Sequence, residues 1–190
     1  ITTAGELVDT TTSTLKQVID QKNISELPLN GRNAAELSLL VPGTFSYPTN
    51  PASPTGTFGG GALQGATKTF PGAVAIVTNG SRQNQTSYQL DGGNNVDEYT
   101  NVNQPFPMPD ALQEFSVQTS NYSAQYGQNA GGVVNVITKS GTNQFHGNAF
   151  EFLRNSAFNA RPWHAATKDV LKRNQFGGTL GAPLIRNKLF

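Results

Sequence analysis

Apolar positions fall into short, separated runs with strand-like spacing, and no long amphipathic helix is visible. Residues 14–19, Thr-Leu-Lys-Gln-Val-Ile, carry enough β-branched character for a strand, with Asp20 placed to cap a turn of helix toward Leu27. Asn33 caps a second helix over 34–40, where Leu37 and Leu40 share a face and Pro42-Gly43 ends the run. Residues 44–72 are rich in Pro, Gly, Ser and Thr and read as a long loop. A strand over 73–78 closes at Asn79-Gly80, a pair suited to positive φ, and a strand over 87–90 closes at Asp91-Gly92, giving a hairpin-like pair across 73–92. A second irregular loop runs from 94 to 109.

Phe115 and Val117 alternate with Ser116 and Gln118, as a half-buried strand over 114–119 requires. Val133, Val134, Val136 and Ile137 form a nearly continuous apolar run, which predicts an interior strand over 132–138 buried on both faces. Beyond residue 142 the pattern changes. Phe150 and Phe152 share one face with Arg154 while Ala149 and Glu151 lie on the other, and a similar segment follows at 173–181. Such alternation predicts transmembrane β-strands with one face toward a lumen.

Composition narrows the function. Only 13% of residues are charged and the net charge is +1, so there is no electrostatic pull toward nucleic acid or anionic lipid. Polarity comes from Asn, Gln, Ser and Thr, which suit a confined, water-filled setting as well as a solvated surface. Cysteine is absent, so disulfides, thiolate nucleophiles and Cys-based metal sites are excluded. No run approaches the roughly 18 apolar residues of a membrane-spanning helix. The start lacks a charged and apolar signal, and Leu189-Phe190 stops mid-segment, so the chain reads as part of something longer.

Catalytic chemistry finds little support. His146 and His164 lack ligand spacing, no Gly-x-Ser-x-Gly elbow occurs, and Gly59-Gly60-Gly61 and Gly131-Gly132 lie outside any phosphate-loop pattern. Glycine at these places serves tight turns and close backbone approach. Asp91, Asp97, Glu98, Asp110 and Glu114 are better read as turn caps and ion pairs than as a hydrolytic pair. No cofactor or metal is expected.

The order of short motifs is the strongest signal. Leu90-Asp91-Gly92, then Pro109 to Val117, then Tyr126-Gly127, then Gly131-Gly132-Val133-Val134-Asn135-Val136-Ile137-Thr138-Lys139-Ser140-Gly141 resembles the plug domain of TonB-dependent outer-membrane receptors. Glu26 to Asn33 followed by Leu39 to Gly43 is similar to the first plug helix of their Oar-like branch. The resemblance implies an α+β plug with a small mixed β-sheet and short helices, followed by the first antiparallel strands of a transmembrane β-barrel. Residues 1–13 would be an N-terminal extension, 14–142 the plug and 143–190 the start of the barrel. It further implies a gate in the bacterial outer membrane that closes a barrel of roughly 22 strands. The partners would be its own β-barrel domain, TonB through a segment not recognisable here, and an imported substrate; nucleic acid is not among them.

The same resemblance suggests site residues. Arg32, Arg82 and Glu114 are candidates for polar tethers between plug and barrel or within the plug. Arginine can hold carboxylates through two parallel hydrogen bonds, and Glu114 is a candidate partner for a plug arginine. Asp91, Gly92, Gly127, Lys139 and Gly141 mark the motif turns. Phe58, Phe70, Tyr99 and Phe106 are candidates to face substrate from the loops. The rival reading is a surface module that binds carbohydrate or peptide without transport.

Overall fold

The computed structural model describes residues 13–46, 74, 76–82, 84–99, 101–126, 129–161, 163–168 and 170–189. The chain divides into two compact units. One holds residues up to Leu29 together with Asn33–Thr138, and the other holds Asn30–Arg32 with Lys139–Phe190.

The first unit is built on a five-stranded mixed sheet. Its strands are β1 (Leu15–Asp20), β4 (Ser87–Leu90), β5 (Gly93–Asn94), β6 (Leu112–Ser120) and β7 (Val133–Thr138), in the spatial order β1-β6-β7-β4-β5. β6 lies antiparallel to both β1 and β7, and β4 runs parallel to β7. Helix α1 (Gln21–Glu26) follows β1 directly. The Asp20 carboxylate caps it by accepting from the Asn23 N–H at 3.0 Å, and Ile24 is its buried anchor. Phe115, Val117, Val134, Val136, Tyr88, Leu112, Leu37 and Ile24 share one apolar cluster. Each fully buried side chain of this size contributes about 1.5–3 kcal/mol.

β7 is central in the sheet, as its apolar run predicts, but the burial is uneven. Val133, Val134 and Val136 are buried, whereas Ile137 is 37% exposed near the strand's end. β6 is also buried on both faces, because Ser116 and Gln118 are covered opposite Phe115 and Val117. The Ser116 hydroxyl donates to the Asn135 carbonyl at 3.3 Å.

Three expectations need correction. The strand before Asn79-Gly80 is β3 (Ile76–Thr78), and its partner is β2 (Thr44–Ser46), inside the segment read as loop. The five-stranded sheet excludes both, so residues 73–92 form no β3–β4 hairpin. β4 instead reaches β3 through side chains: the Thr86 hydroxyl donates to the Ile76 carbonyl at 3.0 Å, and the Tyr88 hydroxyl to the Val74 carbonyl at 3.3 Å. Burial pushes the Tyr88 phenol far above its ordinary pKa, so it stays a neutral donor. Finally, 34–40 is a 3-10 helix; Asn33 caps it through the Ala35 N–H, but Leu40 is 50% exposed while Leu37 is buried.

Gly131-Gly132 leads into β7 through a crowded passage. The Gly131 N–H donates to the Gln85 carbonyl at 2.8 Å, and the Gly132 N–H donates to the Thr78 hydroxyl. A Cβ at Gly131 would meet the Gln85 carbonyl oxygen at 2.5 Å, and one at Gly132 would meet Thr78 Cγ2 at 2.7 Å.

The second unit contains the antiparallel pair β8 (His146–Asn155) and β9 (Lys172–Gly181), ten residues each and in register throughout. The two strands meet the roughly 9–11 residues of a tilted membrane-spanning strand.

The Gly131 contact yields a stability prediction. Gly131→Ala drives a methyl into a backbone carbonyl that cannot swing away, and overpacking of this kind costs about 1–3 kcal/mol. Urea unfolding followed by circular dichroism should show a lowered midpoint; an unchanged midpoint would mean that this approach is looser than described.

Candidate functional site

The Asp91-Gly92 turn organises one end of the sheet. Asp91 has φ +50° and Gly92 φ +80°, and the flanking pair Leu90 and Gly93 face each other across β4 and β5. Two successive positive φ values in a two-residue hairpin loop are those of a type I′ turn, which explains the Asp-Gly dipeptide. The Asp91 side chain then reaches the end of β7. Its two carboxylate oxygens accept from the Thr138 N–H and the Thr138 hydroxyl, both at 2.8 Å. The Asp91 N–H donates to the Val136 carbonyl at 2.9 Å. Three bonds thus tie the turn to the last residues of the sheet unit.

Glu114 pairs with a lysine and not with an arginine. The Lys16 Nζ lies 3.7 Å from its Oε1 across the β1–β6 ladder, and both side chains are about one-third or more exposed. An ion pair so solvated is worth about 0–1 kcal/mol. Arg82 is exposed beyond the Asn79-Gly80 turn, and its N–H donates to Gln85 Oε1 at 3.0 Å. That turn has the φ values expected of it, +48° and +76°, and the Asn79 amide donates to the Thr119 carbonyl of β6 at 2.7 Å.

The loop candidates separate sharply. Tyr99 is 89% exposed, and its neighbours Glu98 and Asn101 help line an open hollow of about 250 Å³ with Asn94, Val96 and Asn129. Phe106 docks on the core: its ring centroid lies 6.3 Å from that of Tyr88 and 6.4 Å from that of Phe115, the second contact edge-on. It therefore anchors its loop to the core. Phe58, Phe70 and Gly127 lie outside the described residues. No group of three His, Asp or Glu side chains able to hold a metal occurs among the described residues.

Within the second unit, Arg32 is the best-seated of the tether candidates. The turn Asn30–Arg32 has φ +69° at Gly31 and +56° at Arg32. Arg32 is only 6% exposed, and its guanidinium carbon lies 4.4 Å from the Phe150 ring centroid and 5.0 Å from that of Phe152. A desolvated cation over an aromatic face is worth about 2 kcal/mol. Gln175 stands opposite Phe152 on β9, and its amide oxygen, turned toward the turn, accepts from the Gly31 N–H at 3.2 Å and the Arg32 N–H at 3.1 Å. Phe150 faces Gly177 across the strands, where a Cβ would strike its ring at 2.7 Å.

Phe150 and Phe152 are half-buried beneath Arg32, and the open apolar face belongs to Leu153, Phe176 at 79% exposure and Leu180 at 83%, interrupted by Glu151. Sequence reasoning missed Gln175 and Thr138 as partners. The signal for Gln175 was available in the two-residue period that puts it on the Phe152 face once the strands are in register. Lys139 and Gly141 lie in the connection between β7 and β8, Lys139 half-buried and Gly141 exposed.

Comparison with known proteins agrees with this architecture. Residues 137–190 match the family described as an outer membrane beta barrel domain. Over 149 residues the chain is 29% identical to the TonB-dependent transporter Oar of Myxococcus xanthus, covering 68% of this chain and 14% of that one. Among solved structures, the siderophore receptor PirA from Acinetobacter baumannii superposes with a TM-score of 0.57 at 22% identity, over 92% of this chain and 23% of that chain. The ferric enterobactin receptor PfeA of Pseudomonas aeruginosa, as a G324V mutant, gives 0.56 at 20% identity, over 90% of this chain and 22% of that one. The chain thus spans a small part of the length of the proteins that it matches. The resemblance read from the motifs is borne out: the fold, a mixed sheet followed by an antiparallel strand pair, is one found within TonB-dependent receptors, and the location is the outer membrane.

The Asp91 clasp can be dissected. Asp91→Ala should lower stability by about 1–2 kcal/mol, as the loss of two partly solvated charge-assisted bonds requires, and Thr138→Val by less. The double variant should cost less than the sum, since both changes remove the same contact. Additive losses in urea unfolding would show that the two side chains act independently.

Proposed function

We propose that residues 14–138 are the plug of a TonB-dependent receptor, occluding the lumen of a barrel whose first hairpin is β8–β9, and that the whole protein imports a ligand across the outer membrane at the expense of energy delivered through TonB. The observation that carries this reading is the direct succession of two different designs. A mixed sheet closed by the Asp91–Thr138 clasp ends at Thr138, and an in-register pair of ten-residue strands with an exposed apolar face begins at His146.

The chemistry of the parts suits a gate. Contacts at the edges of the sheet unit include hydrogen bonds and the solvated Lys16–Glu114 ion pair, which water can replace one at a time. The dense apolar cluster is internal to the unit, where it keeps the plug in one piece. Arg82 and Glu114 act as polar contacts of modest strength, and Tyr99, beside its Asn-lined hollow, is the exposed ring available to a ligand. We assign no reaction to the chain: both Asp91 oxygens are engaged by Thr138 and Glu114 is engaged by Lys16, as structural carboxylates would be.

Deleting residues 14–138 from the intact receptor tests the proposal. The expected result is a barrel that still reaches the outer membrane and admits vancomycin, a glycopeptide too large for ordinary porins. An outer membrane that stays sealed, with the shortened barrel present, would remove the gate and leave the surface-binding module as the better account.

A further inference from the structure

Asn30–Arg32 is the one segment of the sheet unit's sequence that the fold hands to the other unit: the chain leaves the first unit after Leu29 and returns to it at Asn33. We propose that this turn is a clip that fastens the plug's own chain to the first hairpin of the wall and holds the gate shut at rest. The inference rests on the gate reading above and names the residues that do the holding.

Three features make the turn a receptor-bound clip and not a passing loop. Its backbone is left-handed at both Gly31 and Arg32, a conformation uncommon for an arginine. This geometry turns two consecutive N–H groups toward one acceptor, Gln175 Oε1. It also lays the guanidinium over Phe150 and Phe152, whose tilted rings, 5.9 Å apart between centroids, form a single aromatic step. Gly177, with no side chain, leaves the room across from Phe150 that lets its ring occupy this place. On either side of the turn, Leu29 and Asn33 are extended, so the clip is separated from its neighbours by two residues outside any helix or strand.

Such a clip differs from a surface salt bridge in how it releases. A planar cation stacked on rings and shielded from water is weakened little by salt, whereas exposed ion pairs are screened. The turn therefore holds under the ionic strengths met at a cell surface, and it lets go when the chain is pulled out of register with Gln175.

The test uses the intact receptor in the outer membrane, with vancomycin entry as the readout. Arg32→Ala should raise entry on the order of tenfold, the change in open population expected when a contact of this strength is lost from the closed state. Replacing Phe150 and Phe152 together by Leu, which keeps bulk and removes the ring faces, should do the same, and Arg32→Lys should fall between. Arg32→Cys paired with Phe150→Cys should leak when reduced and seal when bridged by a short cleavable cross-linker. A pair at Asn143 and Asn187, whose side chains meet at 2.7 Å within the same unit, serves as the positive control for bridging. Should Arg32→Ala fail to assemble, Gln175→Leu removes the shared acceptor without touching the charge and is expected to leak as well.

The clip is overturned if these variants stay sealed while deletion of 14–138 leaks, or if the Arg32–Phe150 pair fails to bridge where the control pair succeeds. A deletion that does not leak counts against the gate itself, so the two failures are told apart.

Discussion

Everything in the sheet unit depends on getting β7 into the middle of the sheet. A central strand needs both neighbours' backbones within hydrogen-bonding distance, and β7 meets them in opposite senses, antiparallel to β6 and parallel to β4. A parallel neighbour forbids a tight hairpin between β4 and β7, so the chain reaches β7 by a longer connection and lies between β6 and β4. It enters the strand at Gly131-Gly132, where the Gln85 carbonyl and the Thr78 side chain stand where a Cβ would be. The passage also supplies hydrogen bonds to both glycine N–H groups, so a buried backbone is left satisfied. At the far end the Asp91 carboxylate closes β7 with two more bonds. The strand is therefore fixed at entry by space and at exit by charge.

Between these ends the sheet unit joins a firm interior to soft edges. Tyr88, Phe115 and the valines of β7 are sealed in one cluster, while Lys16, Glu114, Arg82 and the Asn79 amide act at or near the surface. Apolar burial scales with area and is lost all at once, whereas solvated polar contacts are exchanged singly.

The legible parts of the sequence were those whose cause is local. Asp91-Gly92 was readable because two positive φ values in a row leave few residue choices, Asp20 because a cap bonds three residues on, and β6 because Phe115 and Val117 keep a two-residue period. β2 was not readable, since three residues, Thr44–Ser46, carry no period, and so its partner β3 was given to the wrong neighbour. Phe106 looked free because nothing in its loop says that it folds back onto Tyr88 and Phe115. Lys16 could not be matched to Glu114 without the β1–β6 register. Non-local partners are decided by topology, which a single chain states only through its motifs.

The hairpin β8–β9 makes the same point about faces. Period two separates Phe150 and Phe152 from Leu153 without saying which set is covered. The covered set is chosen by what lies opposite and above. Gly177 leaves a gap that the Phe150 ring fills, Gln175 offers an oxygen to two N–H groups, and Arg32 brings a cation that prefers ring faces to water once it is buried. With those rings covered, Leu153, Phe176 and Leu180 remain as the exposed apolar face of the pair, the kind of surface that a lipid-facing strand presents. The two faces of this pair thus cannot be told apart from its own residues alone; the Asn30–Arg32 turn lies over one of them and leaves the other open.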